Sequence, residues 1–236
     1  MKRGIQLYNL VMKKILITGA SDGIGKALVD ILKNKDYQLY LFGRTESKLN
    51  SIEGNNIVKK YCFDMKDKAE LNKALDDIVE DGGVDILINN AGANLGKASV
   101  LDMDIETFED MMSLNVVSHV MCIQKLGKLM LEKKEGQIVN ILSSACLFNN
   151  PGMSGYTASK KAMEAVSKAL VKEVKDKGVK VLDVYPGGVD TNFRVIDRPD
   201  YLRPETIAKH IVYAIENNED GMFQEIVCRP VVENNY

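Results

Sequence analysis

Seven short apolar runs recur along this chain, and segments of helical period separate them. The runs occupy residues 15–18, 38–43, 58–63, 86–89, 138–143, 181–185 and 225–229. They are apolar almost without interruption, the pattern of strands covered by helices on both faces. Between them, Ile24, Ala27, Leu28, Ile31 and Leu32 form one apolar stripe, and Leu71, Leu75, Ile78 and Val79 another. Residues 107–133 read as one long helix. Met163, Val166, Leu170 and Val174 repeat at helical spacing until Gly178 stops that segment. Pro204 opens a last helix, running to about residue 217. This alternation specifies an α/β fold with a doubly wound parallel sheet of about seven strands and helices on both faces. No repeat or linker interrupts the 236 residues, so 1–236 read as a single domain. Residues 1–11 read as a frayed leader, too short and polar for a secretory signal.

Composition removes several function classes. A net charge of −2 gives no electrostatic reason for a nucleic acid or anionic membrane partner. No apolar stretch approaches the roughly 20 residues that span a bilayer. Four cysteines without a CxxC pair read as reduced core residues, consistent with a cytoplasmic protein. Two histidines, His119 and His210, lack ligand spacing, so no metal site is expected.

The first run leads into T-G-A-S-D-G-I-G at 18–25 and then a helix. Gly19, Gly23 and Gly25 permit a tight turn and close backbone approach to a pyrophosphate, which the helix N-terminus attracts. Placement between a strand and a helix makes the motif more than a glycine-rich turn. The second run ends Gly43-Arg44, where an NAD site usually carries a carboxylate for the ribose 2′-OH. The Arg44 guanidinium suits a 2′-phosphate, so NADP(H) is favoured over NAD(H). Asp22 argues the other way by repelling added negative charge, and Arg44 has the plainer alternative of pairing with Glu46. Asp64, after the third run, either reaches an adenine edge or caps the next helix. Asn90, Ala91 and Gly92, after the fourth run, let the sheet edge meet the cofactor's riboses.

Tyr156 and Lys160 stand four apart in Y-T-A-S-K and so share a helix face. An adjacent ammonium favours the phenolate and lowers a tyrosine pKa that is otherwise too high for acid–base work at neutral pH. Such a pair alone is weak evidence. With a nucleotide cradle and a strand-end Ser143 in the same chain, it reads as a proton-transfer group. Asn115 is a poor helix former, either surface-exposed or part of a polar network.

These motifs, with N-N-A-G at 89–92, S-L-N-V around Asn115 and Y-P-G-G-V-D-T at 185–191, resemble the short-chain dehydrogenase/reductase family over residues 13–232. The resemblance implies a single-domain Rossmann fold and hydride transfer between a nicotinamide and a carbonyl or alcohol carbon. It implies Tyr156 as acid–base, with Lys160 lowering its pKa and holding ribose hydroxyls. Ser143, with Ser144 as runner-up, orients the substrate oxygen, and Asn115 supports a water leading protons to Lys160. Gly19, Ser21, Asp22, Gly23, Ile24, Gly25, Arg44, Asp64, Asn90, Ala91, Gly92, Pro186, Gly187, Val189 and Thr191 line the cofactor. Homodimers or homotetramers follow, through the helices at 107–133 and 154–177.

The segment between Thr191 and Pro204 is short, so a reduced lid is expected. The last strand lacks the glycine pair of relatives that reduce acyl-carrier thioesters, and so resembles the smaller reductases of hydroxy acids, aldehydes and ketones. Asn94, Leu147, Phe148, Met153 and Phe193 are pocket candidates for a small or medium substrate. Arg194, Arg198 and Arg203 either bind an acidic substrate or are simply solvated. The rival readings are a nucleotide-sensing regulatory protein on the same fold and an NAD-linked alcohol dehydrogenase.

Overall fold

The computed structural model describes residues 12–191 and 198–233. In chain order, β1 (Lys13–Ile17), α1 (Gly23–Leu32), β2 (Tyr37–Gly43), α2 (Glu46–Asn50), β3 (Ile57–Cys62), α3 (Lys68–Glu80) and β4 (Ile86–Asn89) come first. There follow α4 (Ile105–Met112), α5 (Ser118–Lys133), β5 (Gly136–Ile141), α6 (Ser154–Val174), β6 (Val179–Pro186), α7 (Pro204–Glu216) and β7 (Glu225–Cys228). The strands form one seven-stranded sheet in the order β3-β2-β1-β4-β5-β6-β7, with parallel pairing throughout. The expected leader at 1–11 and the lid residues at 192–197 lie outside the described residues. Among the described residues, no helix is long and apolar enough to cross a membrane.

Alternate strand residues feed two cores. Ile15, Ile17, Leu39, Leu41, Ile86 and Ile88 pack under α1 and α7, against Leu28, Leu32, Ile207 and Ile211. Leu16, Tyr40, Phe42, Leu87 and Ile138 face α3, α5 and α6, against Leu75, Leu126 and Met163. Both faces of the central strands are therefore buried, which is why those strands read as unbroken apolar runs, whereas the edge strands β3 and β7 keep exposed positions such as Val58, Lys59 and Glu225. Truncating any fully buried leucine here to alanine costs about 2–5 kcal/mol. Asn89, Asn140 and Asp183 stand opposite one another on β4, β5 and β6. Their side chains join with Ser167 of α6 in a buried network that pins the register of the central strands.

Three boundaries differ from the sequence reading. The helix expected over 107–133 is not regular: α4 and α5 are joined by a π-helical turn, Ser113–Val117. Its Leu114, Asn115 and Val116 are all buried, because the wider turn presents three successive side chains inward. α6 ends at Val174, ahead of Gly178, and that glycine serves a close approach as well as a turn. Its φ is +79°, and a Cβ there would lie 1.9 Å from the Lys134 carbonyl oxygen. β5 stops at Ile141, which leaves Ser143 outside the ladder and free to face the sheet's edge.

Candidate active site

Strand order reverses between β1 and β4, and a crevice opens outside the carboxyl ends of strands at such a point. Thr18 fastens its two sides together. The Thr18 Oγ1 accepts from the backbone N–H groups of Asn90 and Ala91, both at 2.9 Å. The Asn90 side chain donates to the carbonyls of Thr18 (2.9 Å) and Gly19 (3.2 Å), so this amide scaffolds the glycine loop. Gly19 has φ +65°, and a Cβ there would meet Ala91 Cα at 2.9 Å. A Cβ on Gly25 would come 2.1 Å from the Gly19 carbonyl oxygen. The result is bare backbone at the N-terminus of α1, whose first-turn amides have no intrahelical acceptor.

Asp22 caps α1, accepting from the Gly23 N–H at 2.8 Å. Its second carboxylate oxygen pairs with Lys48 of α2. The Asp22 charge is therefore paired. Ser21 Oγ lies 3.1 Å from where a Cβ on Gly43 would stand, so the loop also touches the end of β2. Ile24 packs into the α1–α7 core. Arg44 does not pair with Glu46; its Nη1 is 3.9 Å from Asp64 Oδ2, with 70% of its side chain exposed. So loose an exposed pair contributes little, and the guanidinium stays available. Asp64 is not the cap of α3. Its Oδ1 accepts from Lys66 N (2.9 Å), while Asp67 caps the helix through Ala69 N and Glu70 N.

After Pro186, which ends β6, the chain passes through Gly187, Gly188 and Val189 to Thr191. The Thr191 methyl lies 3.3 Å from the Cβ position of Gly23, so this segment reaches the glycine loop.

The polar side chains meet beside it. The Lys160 ammonium is buried and donates to the Ile141 carbonyl at 2.9 Å, at the end of β5. Burial pushes its pKa down to about 8, with nearby Cys146 opposing the shift. A Cβ on Gly92 would lie 3.0 Å from Asn115 Oδ1 and 3.2 Å from Lys160 Nζ, so Gly92 borders both groups and a side chain there would be tight. Asn115 belongs to the polar-network alternative. It accepts from Ala93 N (3.0 Å) and donates to Ala93 O and Ser159 Oγ, both at 2.9 Å. Ser159 Oγ in turn donates to the Tyr156 carbonyl at 2.8 Å.

The Tyr156 ring packs among Met111, Ala145 and Met153, close to the one-turn 3-10 helix Ser144–Cys146. Ser143 caps that turn, accepting from Ala145 N at 3.1 Å, and is partly exposed; Ser144 is buried. Ser143 is thus the more accessible of the two serines. Of the pocket candidates, Met153 packs against the Met111–Ala145–Tyr156 cluster, Leu147 is exposed, and Asn94 buries an Oδ1 without a partner among the described residues. Phe193 and Arg194 lie outside the described residues. Arg198 is held by Asp200 and stacks on Tyr201, and Arg203 stands at the N-cap of α7.

Sequence reasoning passed over His119. It is fully buried, bonded to the Ala91 backbone, and held neutral: burial first, then the Lys160 charge, pushes its pKa down to about 3. Its place four residues after Asn115 was the available signal.

Bare backbone at a helix N-terminus, an available guanidinium past β2 and a buried ammonium at the end of β5 are groups that a nicotinamide dinucleotide can use. The residues present fit that group.

Residues 13–201 match the family model described as short chain dehydrogenase. An uncharacterized oxidoreductase of Staphylococcus aureus (strain MW2) is 30% identical over 229 residues, spanning 94% of this chain and 99% of that one. An alcohol dehydrogenase from the archaeon Thermococcus sibiricus, complexed with 5-hydroxy-NADP, superposes with a TM-score of 0.87 at 24% identity, covering 95% and 99% of the two chains. ElxO with NADP bound superposes with a TM-score of 0.81 at 27% identity, covering 92% and 97%. With fold and sequence in agreement, the chain belongs to the short-chain dehydrogenase family and is an oxidoreductase.

Proposed function

We propose that the chain reduces a small or medium ketone or aldehyde, reversibly, with NADPH. The supporting observation is the buried Lys160 ammonium at the end of β5, one helical turn from Tyr156, with Gly92 bordering both it and Asn115. A dihydronicotinamide bound at this edge supplies the hydride. Ser143 and Tyr156 hold the carbonyl oxygen between two hydroxyls. Tyr156 gives its phenolic proton to that oxygen as the carbonyl carbon is reduced, and the Lys160 charge stabilises the phenolate left behind. Lys160, with its pKa lowered to about 8, remains mostly protonated at neutral pH and restores the tyrosine's proton at little cost. Asn115 fixes the wall beside Lys160; both of its amide hydrogens are committed to Ala93 and Ser159.

Preference for NADPH rests on Arg44 and on Lys48, which neutralises Asp22. NADP-bound relatives agree in kind. Pairing of two copies through α4–α5 and α6 is part of the same reading, and exposed Ile105 and Val117 lie on that surface. Light scattering showing only monomer at micromolar concentration would remove it.

The test is Tyr156→Phe on a carbonyl panel followed by NADPH absorbance. Turnover should vanish while NADPH binding persists. A variant with normal turnover contradicts the mechanism, and tighter NADH than NADPH binding contradicts the cofactor. Cofactor binding without turnover of any carbonyl or alcohol by the unaltered chain favours a nucleotide sensor.

A further inference from the structure

Past β7 the chain folds back onto the crevice. Gly187 N donates to the Cys228 carbonyl at 2.8 Å, and Glu233 N closes a turn onto the Pro230 carbonyl at 3.1 Å. The Glu233 carboxylate then bridges two groups. Oε1 accepts from Gly188 N at 2.8 Å, and Oε2 accepts from Arg229 Nε at 3.1 Å. The Arg229 guanidinium lies over the Phe148 ring, 4.4 Å from its centroid. Only 8% and 15% of the two charged side chains is exposed. Removing such a pair from water costs about as much as its attraction returns, so stability alone is a poor reason for it. What it holds is geometry.

The two glycines are gripped from both sides. A Cβ on Gly187 would lie 2.6 Å from Glu233 Oε2 and 2.8 Å from Pro230 Cδ; one on Gly188 would lie 2.2 Å from the Tyr201 ring. Beyond them, Asp190 N bonds to the Leu202 carbonyl at 2.8 Å, and Thr191 meets Gly23 of the glycine loop. Displacing the Gly188 amide therefore moves a segment that ends at the phosphate cradle. Displacing Arg229 moves Phe148, five residues beyond Ser143.

We propose that Glu233 and Arg229 are positioning residues of the active site. The C-terminal turn clamps the loop after β6 on the cofactor side and the Phe148 wall on the substrate side, giving both one support. The inference rests on the function proposed above.

The experiment uses the full chain, with NADPH affinity read by fluorescence, KM for a carbonyl substrate, and melting temperature. Glu233→Ala should weaken NADPH binding about tenfold, the equivalent of one hydrogen bond to a charged acceptor, with KM raised as well. Glu233→Gln keeps an acceptor for Gly188 N but releases Arg229. It should bind NADPH within about threefold of wild type while KM for the carbonyl rises several-fold. Arg229→Met should raise that KM and leave NADPH binding nearly intact. Wild-type affinity and KM in Glu233→Ala overturn the clamp, as does a lower melting temperature with both constants unchanged. If Glu233→Ala does not fold, the split in Glu233→Gln decides, and its absence overturns the inference. A wild-type chain that binds no NADPH overturns the underlying function instead.

Discussion

Lys160→Met should give a protein that is more stable and nearly inactive. Methionine matches the lysine stem and removes the charge. Burial lowers the Lys160 pKa from 10.5 to about 8, and that difference corresponds to about 3 kcal/mol held against the charged form in the folded protein. The variant also loses the 2.9 Å bond to the Ile141 carbonyl, leaving a buried acceptor short of a partner at a cost of about 1–2 kcal/mol. The charge effect is larger, so the net gain at pH 7 is about 1 kcal/mol, or ~2–4 °C for a chain of this size. The pH dependence has a definite sign. Between pH 8 and 10.5 the unfolded chain holds a proton that the folded one has released, so wild-type stability rises with pH through that window. The variant's advantage should be full below pH 8 and shrink toward pH 10. Circular-dichroism melts at pH 7 and 10 measure this, and NADPH oxidation should show at least ~100-fold slower turnover. A variant several degrees less stable at pH 7, or an advantage unchanged by pH, refutes the view of the ammonium as a net cost retained for chemistry.

In reduction, kcat should hold level at neutral pH and fall above about 8 as Lys160 loses its proton; Lys160→Arg, which keeps its charge, should move the fall upward in a pH–rate profile. Asn115→Ala removes three side-chain bonds and leaves both Ala93 backbone groups without them, so urea melts should show a loss of about 2–4 kcal/mol together with reduced turnover. Gly25→Ala places a methyl 2.1 Å from the Gly19 carbonyl oxygen, so the loop must shift; a fluorescence titration should show NADPH binding weakened more than ~tenfold.

The centre of the sheet was legible because both of its faces are covered: the run Leu39–Tyr40–Leu41–Phe42 is apolar at every position, whichever core each residue feeds. The cradle was legible because glycine's missing side chain is visible in the sequence itself. What escaped reading depends on partners brought together by the fold. Lys48 meets Asp22 only because α2 returns past the glycine loop, and Asp67 caps α3 because the chain turns once more after Asp64. Arg229 finds Phe148 across most of a hundred intervening residues, through the docking of the C-terminal turn. The π turn left no trace in the pattern, since one added residue hardly disturbs an apolar stripe already broad enough to cover a sheet.

That added residue constrains chain length in a way composition does not. Deleting one residue from Ser113–Val117 would restore an ordinary helical ladder, locally the easier arrangement. It would also rotate α4 against α5 by about 100°. Either Met111 would leave its seat against Gly155, or Asn115 would swing away from Ala93 and Ser159. Outward positions such as Glu109 are free to drift in identity, whereas the number of residues between Met111 and Ser118 is not free to change.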